Sequence, residues 1–184
     1  MKYIKSVSIK NFFSYGPQET VIDLSGNEVQ YPFISFTVTD NGEGFNEKNY
    51  DSFLEAYTII EAMLFALYGK TRQEKVADVV NRKVGKDCKV SVEFVGDDDE
   101  VYKVLRYRAH TTHKDKVYLF KGDKDISCKN IANTNEEIVE YFGMPYVAFV
   151  NSTVFSSEFY ADFFKANNTD RLTIFENILS LKEI

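Results

Sequence analysis

The residues in this sequence that are best suited to chemistry form a glycine turn between an apolar run and a helix-forming stretch. The apolar run covers 31–39, the turn contains Asn41, Gly42 and Gly44, and the helix-forming stretch includes Thr58. In a strand–turn–helix unit of this kind, backbone N–H groups and the positive end of the helix dipole can hold a polyphosphate. The candidate nucleotide contacts are therefore Asn41, Gly42, Gly44 and Thr58.

Two residues that such a loop needs are missing from their usual places. A lysine that reaches the phosphates and a hydroxyl that ligates Mg²⁺ normally follow the last glycine, whereas this sequence has Phe45 and Asn46 there. Lys48 is the best candidate to replace the lysine. Between 40 and 55 it stands alone against five carboxylates, and their field repels an anion unless Mg²⁺ intervenes.

Three hypotheses about the loop remain open at the level of sequence. In the first, the loop is interrupted and binds ATP weakly or not at all. In the second, 45–57 loops out as an insertion, and Lys48 or Lys70 replaces the lysine, with Lys48 preferred because Lys70 lies at the far end of the helix. In this hypothesis Asn41, Gly42, Gly44 and Thr58 still contact nucleotide. In the third, the loop has only a structural role.

The elements that must position this loop are a strand and a long helix. The run 31–39 is apolar and β-branched enough for a buried strand. Ser52 and Glu55 fit a capping box, which predicts that the helix begins there. Apolar residues then recur on most of its surface, which predicts a deeply buried helix, and Gly69 is a natural C′ residue.

The rest of the chain alternates as strands or repeats as helices. The predicted strands are 3–9 with 19–24 as one hairpin, 88–95 with 101–108 as another, and 117–120. The predicted helices are Thr134 to about Phe142, opened by a second capping box, and 170–184, while 146–155 is ambiguous. The predicted fold class is α/β, a mixed sheet around a buried helix with an added β-hairpin layer.

Composition excludes several classes of protein. The chain has 184 residues with 44% hydrophobic content, which suits one folded domain or one large lobe. Cys88 and Cys128 form no CxxC pair, which suits a reducing compartment and argues against a zinc site. The charged start indicates no signal peptide, and no apolar run approaches the ~18 residues of a membrane span.

Charge is unevenly distributed along the sequence. The net charge is −6, yet the stretch 70–121 has thirteen Lys and Arg against nine Asp and Glu. A basic face could contact DNA phosphates, and a solvated hairpin surface is the alternative. The candidate contacts are Arg106, Arg108, His110, His113, Lys114 and Lys116. The pair His110-x-x-His113 lacks supporting ligands, so no metal site is predicted.

Several segments together resemble one family, the SbcC-type ATPases, which are SMC-like head proteins that partner a nuclease. The version in bacteriophage recombination endonucleases is the most similar. The opening strand and Asn-Phe-x-Ser turn (4–14) match, and 59–72 is similar to the helix after the phosphate loop and its Gly-Lys-Thr-Arg ending. The hairpin strands 90–94 and 101–108 and the helix 170–181 also resemble the family.

This resemblance implies a P-loop NTPase-like fold, the N-terminal lobe of an ABC-type ATPase head. The lobe would cover 1–169, and 170–184 would be a helix leading toward a coiled coil. Three departures accompany it. The Gly-Lys-Ser/Thr of the loop is missing, no glutamine stands near Ser156 and Ser157, and the signature motif and Walker B acids belong to a C-terminal half that this sequence does not contain.

The resemblance also implies a function in processing or recombination at DNA double-strand breaks. The implied cofactors are ATP and Mg²⁺. The implied partners are an SbcD-like nuclease subunit, DNA ends and a second SbcC-like head in a homodimer. The implied location is the cytoplasm of a bacterium or of a phage-infected host, and no membrane partner is implied. No catalytic residue and no metal ligand is assigned, and the chain is not expected to hydrolyse ATP alone. The alternative is a non-catalytic binding module that associates with intact heads or with the nuclease.

Overall fold

Six β-strands form one sheet in the computed structural model, which describes residues 3–24, 47–72, 79–96 and 98–153, with only the backbone for 47–57 and 151–153. Their spatial order is β2-β1-β3-β4-β5-β6. The strands are β1 (Tyr3–Lys10), β2 (Thr20–Asp23), β3 (Cys88–Val95), β4 (Val101–Arg108), β5 (Val117–Lys121) and β6 (Lys124–Asp125). The helices are α1 (Glu47–Tyr68), α2 (Ile131–Phe142) and α3 (Tyr146–Thr153).

Strands β3 and β4 form the centre of this sheet. Val90, Val92 and Phe94 are fully buried on one face of β3, as the alternating pattern predicts. The hairpin pairs in full register from Cys88 with Arg108 to Val95 with Val101. Both strands were predicted correctly, but the prediction that their hairpin forms an added layer was wrong. The hairpin lies within the sheet, because β1 pairs with β3 and β5 pairs with β4.

Every pairing among the described strands is antiparallel. The β1–β2 hairpin is confirmed, and a bulge interrupts the pairing of β1 with β3 between Ile4 and Ser6. A mixed sheet was predicted, whereas the described sheet contains no parallel pair. The predicted strand 31–39 lies outside the described residues.

Helix α1 packs on the inner face of the sheet, against β1, β3 and β4. Its residues from Glu61 to Tyr68 are all buried, which confirms the predicted deep burial for the C-terminal part of the helix. Gly69 ends the helix with φ +66°, and its N–H donates to the Phe65 carbonyl at 2.9 Å, as a C′ glycine does. The predicted start at Ser52 is wrong, because the helix begins at Glu47, five residues earlier.

Helix α2 also begins earlier than predicted. Asn130 is its N-cap, and the Asn130 side-chain oxygen accepts the Asn133 N–H at 2.8 Å. Thr134, the predicted cap, lies inside the helix with its side chain buried, and its hydroxyl donates to the Asn130 carbonyl at 2.9 Å. The second capping box therefore marked the wrong residue.

The chain divides into two compact units, 1–142 and 143–184. The second contains α3, which shows that the ambiguous segment 146–155 is helical through Thr153. The predicted helix 170–184 and its boundary with 1–169 lie outside the described residues. None of the helices in the described ranges is long and apolar enough to cross a membrane.

Candidate functional site

The predicted nucleotide contacts that the structure describes lie on one continuous helix. Asn41, Gly42 and Gly44 are outside the described residues. Lys48 is in the first turn of α1, whereas Thr58 is near its middle and buried. At 1.5 Å per residue, the separation of ten positions from Lys48 to Thr58 corresponds to about 15 Å along the helix axis. The structure therefore does not bring these two residues together.

This geometry does not fit a single phosphate site built from Lys48 and Thr58. A phosphate loop needs its lysine and its hydroxyl in adjacent positions at the start of one helix. In this chain 47–57 is helical, so it does not loop out from the helix. Thr58, three turns from the helix start, has its backbone N–H within the helical hydrogen-bonded region. Nucleotide contact by either residue remains a prediction.

The Gly-Lys-Thr-Arg segment folds back onto α1 through a buried carboxylate. Glu61 is fully buried, and it accepts the Arg72 backbone N–H at 3.0 Å and the Arg72 side-chain Nε–H at 2.5 Å. A buried ion pair needs such additional hydrogen bonds to offset desolvation. Sequence reasoning assigned no role to Glu61. The available signal was an acidic residue in the middle of an otherwise apolar helix.

Arg106 anchors the C-terminal end of the same helix from β4. Its Nε donates to the Ala66 carbonyl at 3.0 Å, and its Nη2 donates to the Asn135 side-chain oxygen at 2.7 Å. Burial lowers the pKa of Arg106 to about 10, so the guanidinium stays charged at neutral pH. A cation near the last carbonyls also complements the helix dipole. The prediction that Arg106 contacts DNA is wrong, because its side chain lies inside the protein.

The side chains of two asparagines stabilise the Asn-Phe-x-Ser turn after β1 by hydrogen bonds. Asn11 has φ +52° and is buried, and its Nδ2 donates to the Asp87 carbonyl at 3.1 Å. The Asn81 side-chain amide donates to the carbonyls of Phe13 and Tyr15 at 2.8 and 3.2 Å. Asn tolerates the left-handed region better than most residues, which explains why an asparagine opens this turn.

The aromatic residues of this turn have separate environments. Phe12 is fully buried and packs against Phe65 of α1 with ring centroids 5.5 Å apart, so it belongs to the core. Phe13 is half-buried, and its ring meets Phe12 edge-on at 4.7 Å. The turn is therefore held by core packing and by asparagine hydrogen bonds.

The other predicted DNA contacts cluster in the β4–β5 loop. Asp115 holds this loop, because it accepts the Ala109 N–H at 2.7 Å and Arg108 Nη1–H at 2.9 Å. Asp87 accepts the N–H and the hydroxyl of Thr111, each at 2.7 Å. The hydrogen bonds from Thr111 lower the pKa of Asp87, which keeps this carboxylate charged. The loop thus has a defined conformation that presents its lysines outward.

The histidine pair in this loop is part of an aromatic cluster. His113 stacks on Tyr107 at 4.3 Å, and His110 meets the same ring edge-on at 4.7 Å. His110 Nδ1 accepts the N–H groups of Thr112 and His113 at 3.1 and 3.2 Å. Burial lowers the pKa of His110, and the neighbouring Asp87 opposes that shift only in part.

A metal role for this pair finds no support in its geometry. The Nδ1 atom of His110 is engaged by backbone donors, so it is not presented to an ion. Among the residues whose positions are described, no group of three potential ligands lies close enough to hold a metal.

Comparison with solved structures shows a consistent likeness to the head domains of SMC proteins. A structure described as "ATP-driven dimerization and DNA stimulated activation of SMC ATPases" matches 96% of this chain and 99% of its own, with a TM-score of 0.55 and 18% identity. The Smc head domain with a coiled coil and joint from Pyrococcus yayanosii matches all of this chain, with a TM-score of 0.60 and 20% identity. The chain shares the fold of an SMC ATPase head.

A third similar structure is an SmcHead bound to the C-winged helix domain of ScpA, with a TM-score of 0.52 and 16% identity. The chain spans about a third of the Pyrococcus yayanosii chain and half of the SmcHead chain, at 33% and 50% coverage. No family model matches the chain, and no curated protein matches it in sequence. The likeness is therefore one of fold.

Proposed function

We propose that this chain is the N-terminal ATPase-head segment of an SbcC-like protein that acts with a nuclease at DNA double-strand breaks. The observation that carries the proposal is an SMC-head fold combined with the SbcC-like Gly-Lys-Thr-Arg ending of α1. In this chain that ending is built into the core, because Arg72 returns to the buried Glu61. The bacteriophage version, an SbcD-like nuclease partner and a cytoplasmic setting belong to the same proposal.

The solved structures add support for a partner and a ligand. One of them is described as undergoing ATP-driven dimerisation and DNA-stimulated activation, and another is bound to a domain of ScpA. By analogy, this chain associates with a second SbcC-like head as a homodimer and acts at DNA ends. Fold analogy alone does not transfer chemistry, so nucleotide binding depends on the residues that this chain has at the site.

The nucleotide site of this head is interrupted. Lys48 and Thr58 do not fit one Mg²⁺–ATP site, for they are about 15 Å apart along α1 at the helical rise. The first turns of the helix also contain Glu47, Asp51 and Glu55, whose charges oppose a phosphate at that end. We therefore infer that ATP binds weakly or not at all.

Titration with a fluorescent ATP analogue and Mg²⁺ tests this inference. The wild-type chain is expected to show no saturable binding in the micromolar range. Lys48→Ala is expected to leave the titration unchanged, and Lys124→Ala, an exposed lysine far from α1 in sequence, is the matched control. Micromolar binding that Lys48→Ala abolishes and Lys124→Ala preserves would refute an interrupted site and would establish Lys48 as the replacement lysine.

A non-catalytic binding module is the second candidate function. The acidic and continuously helical start of α1 favours it, because that start replaces the features that a hydrolysing head needs. This candidate predicts association with an intact SbcC-like head or with its nuclease, without ATP turnover. Sedimentation of the mixed proteins, with a phosphate-release assay on the same samples, separates the two candidates. Turnover that depends on this chain would exclude the binding module.

A further inference from the structure

The two ends of the β-sheet have opposite charge. The C-terminal ends of β1 and β4 and the N-terminal ends of β3 and β5 meet at one end, as the antiparallel register requires. The described residues at this end, which we call the basic end, include eight cations: Lys10, Arg82, Lys83, Lys86, Lys89, Arg108, Lys114 and Lys116. Three carboxylates accompany them among the same described residues: Glu19, Asp87 and Asp115. The described part of the basic end therefore has a net charge of +5 in a chain whose total is −6.

The opposite end of the sheet is acidic. The described residues of the β3–β4 turn and of the β5–β6 hairpin include five carboxylates and two lysines. They are Asp98, Asp99, Glu100, Asp123, Asp125, Lys121 and Lys124. A polyanion that approaches this sheet is therefore attracted to one end and repelled from the other.

Most cations of the basic end are available to a ligand. Lys89 pairs with Glu19 at 3.0 Å, and Arg108 pairs with Asp115 at 2.9 Å. The other six form no ion pair with another described residue, and all but Lys10 are exposed. A cluster of unpaired exposed cations is the electrostatic footprint of a phosphate backbone.

Aromatic rings continue from the basic end along the outer face of the sheet. Tyr118 meets Tyr107 and His113 edge-on, at 6.1 and 5.8 Å between ring centroids. Phe120 lies two residues along the same strand, with its ring inclined by 29° to that of Tyr118 and the centroids 6.3 Å apart. Tyr118, Phe120 and His113 are all partly exposed. A row of rings on a strand face gives unstacked bases a surface on which to stack.

We propose that the basic end and this row of rings form a binding surface for single-stranded DNA. The cations hold the phosphate backbone, and Tyr118, Phe120 and His113 stack against bases. A duplex would use the cations alone, because its bases are already stacked on each other. The choice of DNA over RNA rests on the proposed function at DNA ends. The surface itself rests on charge and ring placement, and it needs no nucleotide.

Fluorescence anisotropy of the full chain with labelled dT20, without ATP, tests the proposal. The triple variant Lys86→Gln, Lys114→Gln and Lys116→Gln should weaken binding and reduce the slope of log K against log[salt] by about 0.7 for each phosphate that is no longer neutralised. Tyr118→Leu should weaken binding at least fivefold, because a stacked base contributes on the order of 1 kcal/mol or more, without changing that slope. Lys124→Gln, at the acidic end, is the matched control and should bind like wild type.

Two results would overturn the proposal. One is wild-type affinity in both the triple variant and Tyr118→Leu. The other is a duplex of equal length that binds as tightly as dT20 while Tyr118→Leu has no effect, which would identify a duplex surface. Tyr118→Phe keeps the ring and should bind normally, which separates stacking from misfolding. Because ATP is omitted from the anisotropy experiment, its result does not depend on whether the chain binds nucleotide. The result of the ATP titration likewise does not depend on whether the chain binds DNA.

Discussion

Replacing Gly69 by alanine should destabilise the protein through Arg106. A Cβ at position 69 would lie 2.9 Å from Arg106 Nη1 and 3.3 Å from its Cζ. The guanidinium cannot retreat freely, because it is buried and donates to Ala66 and Asn135. The substitution therefore either breaks these hydrogen bonds or moves the end of α1.

Two contributions to the loss of stability can be separated. At φ +66°, alanine costs about 1–2 kcal/mol in the left-handed region. Displacing the guanidinium adds roughly 1.5–3 kcal/mol, the usual contribution of hydrogen bonds to a charged group. The free energy of unfolding should therefore fall by about 2.5–5 kcal/mol in Gly69→Ala.

Gly85 is a control with matched backbone geometry. Its φ is +69°, and a Cβ there would have nothing within 4 Å. The free energy of unfolding of Gly85→Ala should therefore fall only by the backbone contribution, about 1–2 kcal/mol. Urea unfolding followed by circular dichroism measures both variants, provided that the m-values agree. Equal losses at positions 69 and 85 would refute the argument that Arg106 fixes the end of α1.

Three further predictions concern buried or paired charges. Glu61→Gln should lower the free energy of unfolding by about 1.5–3 kcal/mol, because the hydrogen bonds to Arg72 lose a charged acceptor, and urea unfolding that shows no loss would contradict it. The lowered pKa of His110 means that its contribution to stability is present above its unfolded pKa of about 6.5 and is lost as the pH falls. The urea midpoint should thus drop between pH 7.5 and 5.5 less steeply in His110→Gln than in wild type, and equal drops would contradict this. Lys121 lowers the pKa of Asp98 to about 2 by hydrogen bonding, so an NMR titration should find that pKa raised in Lys121→Gln, and an unchanged value would exclude the pair.

Strands and the C-terminal end of α1 could be predicted closely from sequence. The alternation in 88–95 and 101–108, on either side of an acidic turn, gave both boundaries of the central hairpin. Gly69 marked the helix end because few other residues accept its φ. These features depend on local steric rules, which sequence expresses directly.

The predicted starts of α1 and α2 were wrong, because a capping-box sequence is also compatible with the interior of a helix. Ser52 with Glu55, and Thr134 with Glu137, have the right spacing in both cases. Upstream residues provided the actual starts. Asn130 offers a cap for α2, and acidic residues near Glu47 favour the positive end of α1.

Arg106 shows what strand alternation can and cannot reveal. The pattern placed it on the same face of β4 as Tyr102 and Val104, and both of these are buried. Residue type suggested a phosphate contact, whereas the structure shows that this face of β4 lies in the core. Only the structure shows that Ala66 and Asn135 supply the acceptors that make a buried guanidinium tolerable.

The same residues that lengthen α1 oppose nucleotide binding at its start. Glu47 and Asp51 lie in the first turns of the helix, where each carboxylate stabilises the helix by roughly 0.3–1 kcal/mol through the dipole. A phosphate bound at that end would draw on the same dipole and on the same unpaired N–H groups. The carboxylates that stabilise the start of α1 and a bound phosphate would therefore compete for the same end of the helix. The basic end of the sheet has no such conflict, because its eight described cations outnumber its three described carboxylates. An anionic ligand there gains the favourable charge that the acidic start of α1 lacks.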